Sequence, residues 1–241
     1  MVASLLFGVT TKAYAKWHKE QTEMNILLGL TGSVASTLAE KLVVELRKPF
    51  NYQIGFGNHQ IRIIPTECAL HFFRPRRLKK FPQVEVLRDK DEWRWRKKGD
   101  SVLHIDLTEW ADVFVIAPLS ANTMAKLRHG ICDNLLTSIV RAWKFEPHHN
   151  YIPFKPIVVA PAMNTAMWEH PISTEQRDYL EQELGFTFVN PQIKMLACGV
   201  EGVGAMADIF QIRDAMFNAI RLAKGNKYEK PTQSSNDQRR R

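Results

Sequence analysis

The run Val113-Phe114-Val115-Ile116-Ala117-Pro118 constrains this 241-residue chain more than any other stretch. It is apolar without alternation, too short for a membrane span and stopped by a proline, so it predicts a strand buried on both faces, as in a parallel sheet. The residues beyond the proline are chemically different. Ser120, Asn122 and Thr123 place three short polar side chains at the start of the helical pattern 124–127. There, free backbone N–H groups and the helix dipole favour an anion such as phosphate. An ordinary serine helix cap reads the same way in isolation.

Two other stretches share this design. Asn25 to Leu30 predicts a first buried strand, broken by Thr31-Gly32-Ser33, and Ala35, Leu38, Ala39, Leu42, Val43 and Leu46 then recur as one apolar helical stripe. Strand, Gly-Ser turn and helix open a doubly wound (Rossmann or flavodoxin-like) α/β fold with a parallel sheet. Gly32 permits close backbone approach, and Ser33 either caps the helix or holds a phosphate oxygen. Further strands are expected at Ile61 to Ile64, Val84 to Leu87, Ile157 to Ala160 and Phe186 to Val189. Helices are expected over Thr66 to Phe73, Asp133 to Trp143, around Thr174 to Leu184, and from Ile209 to Ala223. Gly55 to Asn58, Asp89 to Gly99, Phe145 to Pro156 and Leu196 to Gly199 read as loops, and Gly202-Val203-Gly204 as a glycine-rich turn. Ligands of open parallel sheets sit outside the carboxyl ends of the strands. Three such ends here carry small or polar residues: Gly32-Ser33, Ser120 to Thr123, and Ala162 to Asn164. Their agreement favours a ligand site over three separate caps.

The net charge of +8 suits an anionic ligand, although a solvated basic surface gives the same count. Trp93 and Trp95 lie among Arg94, Arg96, Lys97 and Lys98, but with no groove-entering motif this cluster reads as a surface loop and no nucleic-acid partner is expected. Cys68, Cys132 and Cys198 are odd in number and contain no C-x-x-C pair, which argues against a disulfide framework and a zinc site. The expectation is a soluble protein of a reducing compartment, cytoplasmic by default, with no membrane contact and no metal. Residues 1–24 read as an N-terminal extension that lacks a secretory signal and leaves organellar targeting open. Residues 25–223 read as one domain, and 224–241 as a disordered basic tail.

In chain order, Gly32-Ser33-Val34-Ala35, His104-Ile105-Asp106-Leu107, Ala117-Pro118-Leu119-Ser120-Ala121-Asn122-Thr123, Gly130-Ile131-Cys132-Asp133-Asn134, Pro161-Ala162-Met163-Asn164 and Leu196-Ala197-Cys198-Gly199 together resemble the flavin-dependent cysteine decarboxylase family. The resemblance covers residues 25 to about 210. It implies FMN as cofactor, contacted by Gly32, Ser33, Val34, Ser120, Ala121, Asn122, Thr123 and Ala162. It also implies contacts at Thr66, Glu67 and Cys68, where the family shows Thr-Lys-Ser. His104 becomes the catalytic base, Asn164 the substrate holder and Cys198 the acid, in a homotrimer with the flavin near the subunit interface. The implied reaction is decarboxylation of 4′-phosphopantothenoylcysteine to 4′-phosphopantetheine in coenzyme A biosynthesis. Two departures stand out: Thr108-Glu109 replaces a basic pair, and Val200 replaces an aspartate.

The chemistry explains these residue types. A β-thiol cannot stabilise the carbanion left by carbon dioxide, whereas oxidation at the sulfur-bearing carbon gives a thioaldehyde that can. His104 would accept the thiol proton, Asn164 would hydrogen-bond the carboxylate, and Cys198 would protonate the resulting enethiolate. Each residue also has a plain structural reading: a satisfied histidine, a helix cap, a small buried hydrophobe. Two alternatives accompany the resemblance: a regulatory flavoprotein that binds a partner such as a protein phosphatase, and a decarboxylase of peptide C-terminal cysteines.

Overall fold

Neighbouring residues of each central strand face different cores, which is why these strands carry apolar runs in place of alternation. The structure is a computed structural model and describes residues 23–48, 59–146, 152–195, 199 and 201–226. In β1 (Asn25–Leu30), Ile26, Leu28 and Leu30 join one buried cluster and Leu27 joins the other. β2 (Gln60–Pro65) and the short β3 (Val84–Val86) lie to one side of β1. β4 (Val113–Leu119) divides Val113, Val115 and Ala117 from Phe114 and Ile116, and β5 (Ile157–Pro161) divides Val158 and Ala160 from Ile157 and Val159. With β6 (Thr187–Phe188) these form one six-stranded sheet, parallel throughout, in the order β3-β2-β1-β4-β5-β6. The expected doubly wound sheet is present, and its strand order reverses between β1 and β4.

The helices in chain order are α1 (Ala39–Leu46), α2 (Asp89–Glu92), α3 (Leu103–Trp110), α4 (Ala121–His129), α5 (Leu135–Arg141), α6 (Thr165–Trp168), α7 (Pro171–Asp178) and α8 (Ile209–Asn226). α1 and α8 cover one face of the sheet, and α3, α4 and α5 cover the other. Gly29 lets α5 press onto β1, since a Cβ there would lie 2.9 Å from Leu136 Cδ1 and 3.2 Å from Phe114 Cε2. Among the described residues no helix is long and apolar enough to cross a membrane, and no cluster of His, Cys, Asp or Glu could hold a metal ion.

The structure corrects several boundaries for local reasons. The stripe after Ser33 starts as a 3-10 turn, Val34–Leu38, before α1. The helix expected over Thr66 to Phe73 is a 3-10 turn, Glu67–His71, and the loop from Asp89 opens with α2. The helix expected from Asp133 starts at Leu135, because the Asn134 side chain accepts the Thr137 N–H and caps it there. The helix expected around Thr174 starts at Pro171, behind a His170 cap, and ends in a π turn, Tyr179–Glu183. β4 runs through Pro118 to Leu119 with a register shift against β5. The largest correction concerns Gly202-Val203-Gly204. These residues form no turn but lie in β8 (Glu201–Ala205), which pairs antiparallel with β7 (Gln192–Met195). Gly55 to Asn58, the N-terminal extension to residue 22, Leu196 to Cys198 and the tail from residue 227 lie outside the described residues.

His59 couples this fold to pH. Its fully buried ring packs at a tilt on Phe217 of α8, with centroids 6.1 Å apart. Burial disfavours the charged imidazolium and pushes its pKa down to about 4. The unfolded chain, with a histidine pKa near ~6.5, binds the proton first as pH falls, so stability is full above that value and is lost progressively toward pH 4. Urea denaturation is expected to show ~2 kcal/mol less stability from this group at pH 5 than at pH 7.5. His59→Gln should remove most of that difference. An unchanged pH dependence in the variant would show that other groups carry it.

Candidate active site

The ends of β1 and β4 are stitched together by one buried hydroxyl. Thr31 Oγ1 donates to the Pro118 carbonyl at 2.8 Å and accepts the Ser120 N–H at 2.8 Å, while Ser36 Oγ donates to the Thr31 carbonyl at 2.7 Å. A buried polar group left without a partner costs about 1–3 kcal/mol, and the Thr31 carbonyl is doubly satisfied because it also accepts the Ser33 N–H at 2.7 Å. The stitch fixes two strand ends at the point where strand order reverses. A cavity of about 840 Å³ opens beside them.

Every residue that the sequence assigned to the cofactor lines this cavity. Gly32, Ser33 and Val34 come from the end of β1, Thr66, Glu67 and Cys68 from the end of β2, Ser120 to Thr123 from the end of β4, and Ala162 from the end of β5. The size suits a cofactor together with a small substrate. Gly32 is required where it stands, because a Cβ there would lie 2.7 Å from Cys68 Cβ. Ser120 Oγ accepts the Thr123 N–H at 3.3 Å and caps α4, and the same residue lines the cavity, so capping does not remove it from a ligand's reach. Asn164 likewise does both, accepting the Ala166 N–H at 2.9 Å while lining the cavity.

The charges at the rim are mostly neutralised. Glu67 pairs with Arg88 at 3.2 Å, and Lys126 pairs with Asp133 at 2.5 Å. Asp89 accepts the Leu135 N–H at 2.9 Å. Burial, reinforced by Glu67 and Asp133, holds its carboxyl above the usual range.

His104 stands apart from this group. His104 lies on α3 and is not among the residues lining the cavity. Its Nδ1 is 2.5 Å from Glu92 Oε1, and its backbone N–H donates to Glu92 Oε2 at 3.1 Å. Cys198 belongs to the connection between β7 and β8, outside the described residues. Cys68 and Cys132 are exposed free thiols. Thr108 and Glu109 line a separate hollow, where Lys155 Nζ donates to both of their carbonyls.

Sequence reasoning missed Glu92 and the hairpin. The Met163 N–H donates to the Gly204 carbonyl at 3.0 Å, which pins β8 beside the end of β5 and brings Lys194 and Met195 of β7 to the cavity. The approach is close. A Cβ at Gly204 would lie 2.1 Å from the Met163 carbonyl oxygen, and one at Gly202 would lie 2.3 Å from Thr165 Oγ1.

Known proteins share this fold. Residues 15–221 match the family model described as Flavoprotein. Phosphopantothenoylcysteine decarboxylase of Mus musculus is 40% identical over 191 residues, covering 79% of this chain and 84% of its own length. Among solved structures, a cysteine-to-serine mutant of PPC decarboxylase complexed with pantothenoylaminoethenethiol superimposes with a TM-score of 0.69 at 40% identity, covering 84% of this chain and 99% of that one. The FMN binding protein AtHal3 superimposes with a TM-score of 0.67 at 41% identity, over 84% of this chain and 97% of its own.

Proposed function

Since the chain belongs to the flavoprotein family, we infer that it is an FMN-binding carboxy-lyase that converts 4′-phosphopantothenoylcysteine to 4′-phosphopantetheine in coenzyme A biosynthesis. One observation carries the reading: the separate strand ends assigned to FMN, and Asn164 assigned to the substrate, line a single cavity.

The residues present fit FMN. The Gly32 backbone forms a wall without a side chain, and the Ser33 and Ser120 hydroxyls beside the start of α4 suit a phosphate. When bound, FMN supplies the two-electron acceptor that cysteine decarboxylation requires. Asn164 holds the substrate carboxylate by hydrogen bonding, without a full positive charge that would stabilise the state before bond cleavage. His104 takes the thiol proton at Nε2, because Glu92 occupies Nδ1 and fixes the ring. Cys198 returns a proton to the enethiolate.

The catalytic unit is one domain, residues 25–223, a reading supported by two cores that share one sheet. A homotrimer accounts for His104, because α3 of one protomer would then complete the cavity of its neighbour. Ile105, 41% exposed beside His104, and Ile131, 48% exposed after α4, support apolar contact there. The exposed thiols of Cys68 and Cys132 suit a reducing cytoplasm.

Purified protein is expected to be yellow and to release FMN on denaturation. Incubation with 4′-phosphopantothenoylcysteine should then yield carbon dioxide and 4′-phosphopantetheine in equal amounts. A colourless protein that takes up no added FMN would overturn the reading.

A further inference from the structure

FMN and the substrate proposed above each carry a phosphate, so one cavity has to accommodate two dianions. The start of α4 and the strand-end hydroxyls suit one of them. Among the described residues, four charged side chains line the cavity: Glu67, Asp89, Lys126 and Lys194. Glu67 and Lys126 each have a counter-ion, and Asp89 accepts a backbone N–H. Among the described residues, Lys194 is the lining cation whose ammonium has no carboxylate beside it.

Position adds to the charge argument. Lys194 pairs across the hairpin with Gly202, which packs on Thr165, the residue after Asn164. The Gly204 carbonyl holds the same arm against Met163, the residue before Asn164. Lys194 therefore belongs to the Asn164 side of the cavity, where the substrate carboxylate binds in the proposed reaction. The basic pair of the resembling family is no substitute, because Thr108 and Glu109 stand in its place and line a different hollow. We propose that Lys194 forms the subsite for the phosphate monoester of the substrate. The proposal rests on the decarboxylase reading and explains how that site would select phosphorylated over unphosphorylated substrate.

A charge-assisted hydrogen bond to phosphate translates into roughly 10- to 100-fold in affinity. With FMN-loaded protein, kcat/KM is measured for 4′-phosphopantothenoylcysteine and for its unphosphorylated analogue, and binding of 4′-phosphopantetheine and pantetheine is titrated by flavin fluorescence. Lys194→Gln should lower kcat/KM for the phosphorylated substrate ~10- to 100-fold through KM, leave the analogue within about twofold, and abolish the preference for phosphorylated product. Lys194→Arg should restore most of the difference. Equal losses on both substrates, or a preference that survives Lys194→Gln, would overturn the subsite. A wild-type protein that releases carbon dioxide from neither compound would instead overturn the decarboxylase reading, while the binding titration still decides the role of Lys194.

Discussion

His104→Asn lowers turnover by about 10²- to 10⁴-fold while FMN content stays at the wild-type level, the loss expected when a general base is removed but the cofactor site is intact. FMN content is expected to hold because the substitution leaves every proposed cofactor contact, from Gly32 to Val34, Ser120 to Thr123 and Ala162, unchanged. Glu92 gives the expectation a second arm. Its carboxylate meets both the ring Nδ1 and the backbone N–H of His104, so it fixes ring orientation and leaves Nε2 to exchange protons. Glu92→Gln should reduce kcat more than it raises KM, and Glu92→Asp should recover part of the loss. If the site is completed between protomers, co-expression of inactive His104→Asn chains with inactive Asn164→Ala chains should yield measurable activity, because mixed trimers contain cavities with both intact residues. Mixed assemblies as inactive as either parent would remove the shared site.

Cys198→Ser divides the reaction into halves. If Cys198 only protonates the enethiolate, its removal leaves thiol deprotonation and carbon dioxide loss in place. A serine hydroxyl is a far weaker acid than a thiol, so completion of the reduction should slow by about 10²- to 10⁴-fold. With oxygen excluded, one equivalent of carbon dioxide should appear per site, with a product two hydrogens lighter than the normal one and a lasting loss of the flavin's visible absorbance. On that timescale His104→Asn should give neither carbon dioxide nor an absorbance change. Normal turnover by Cys198→Ser, or a block as early as that of His104→Asn, would assign the acid role elsewhere.

The sheet was legible in the sequence because burial on both faces writes itself as apolar runs such as Val113 to Ala117, and few other structures tolerate such runs between polar turns. The strand-end residues were legible because the ends of parallel strands share one side of the sheet, so Gly32, Ser120 and Ala162 converge once the topology is known. The hairpin was not. Gly202 and Gly204 look like turn residues in one dimension, and only the proximity of Met163 and Thr165 reveals them as strand residues stripped of side chains. Nor was the Glu92 contact to His104, since twelve residues and a charged loop separate the partners and neither residue has a periodic pattern that reports the other. The caps at Asn134 and His170 were visible as residue types, but their choice over neighbouring positions depends on which side chain reaches the free N–H.

Gly29 has a consequence for strand register. In most half-buried sheets a slip by one residue exposes apolar side chains to water, and that penalty fixes the pairing. β1 is apolar toward both layers, so a slip would exchange one dry environment for another and solvent would not discriminate. The absent side chain does so instead. Leu136 and Phe114 close on the backbone at Gly29, and a slipped β1 would bring Leu28 or Leu30 to a place where even a Cβ lies 2.9 Å from Leu136 Cδ1, so the packed side chains would have to move. Crowding at Gly29 thus adds to the Thr31 stitch in keying Asn25–Leu30 to its two neighbours, and with it the alignment of the strand ends that form the cavity.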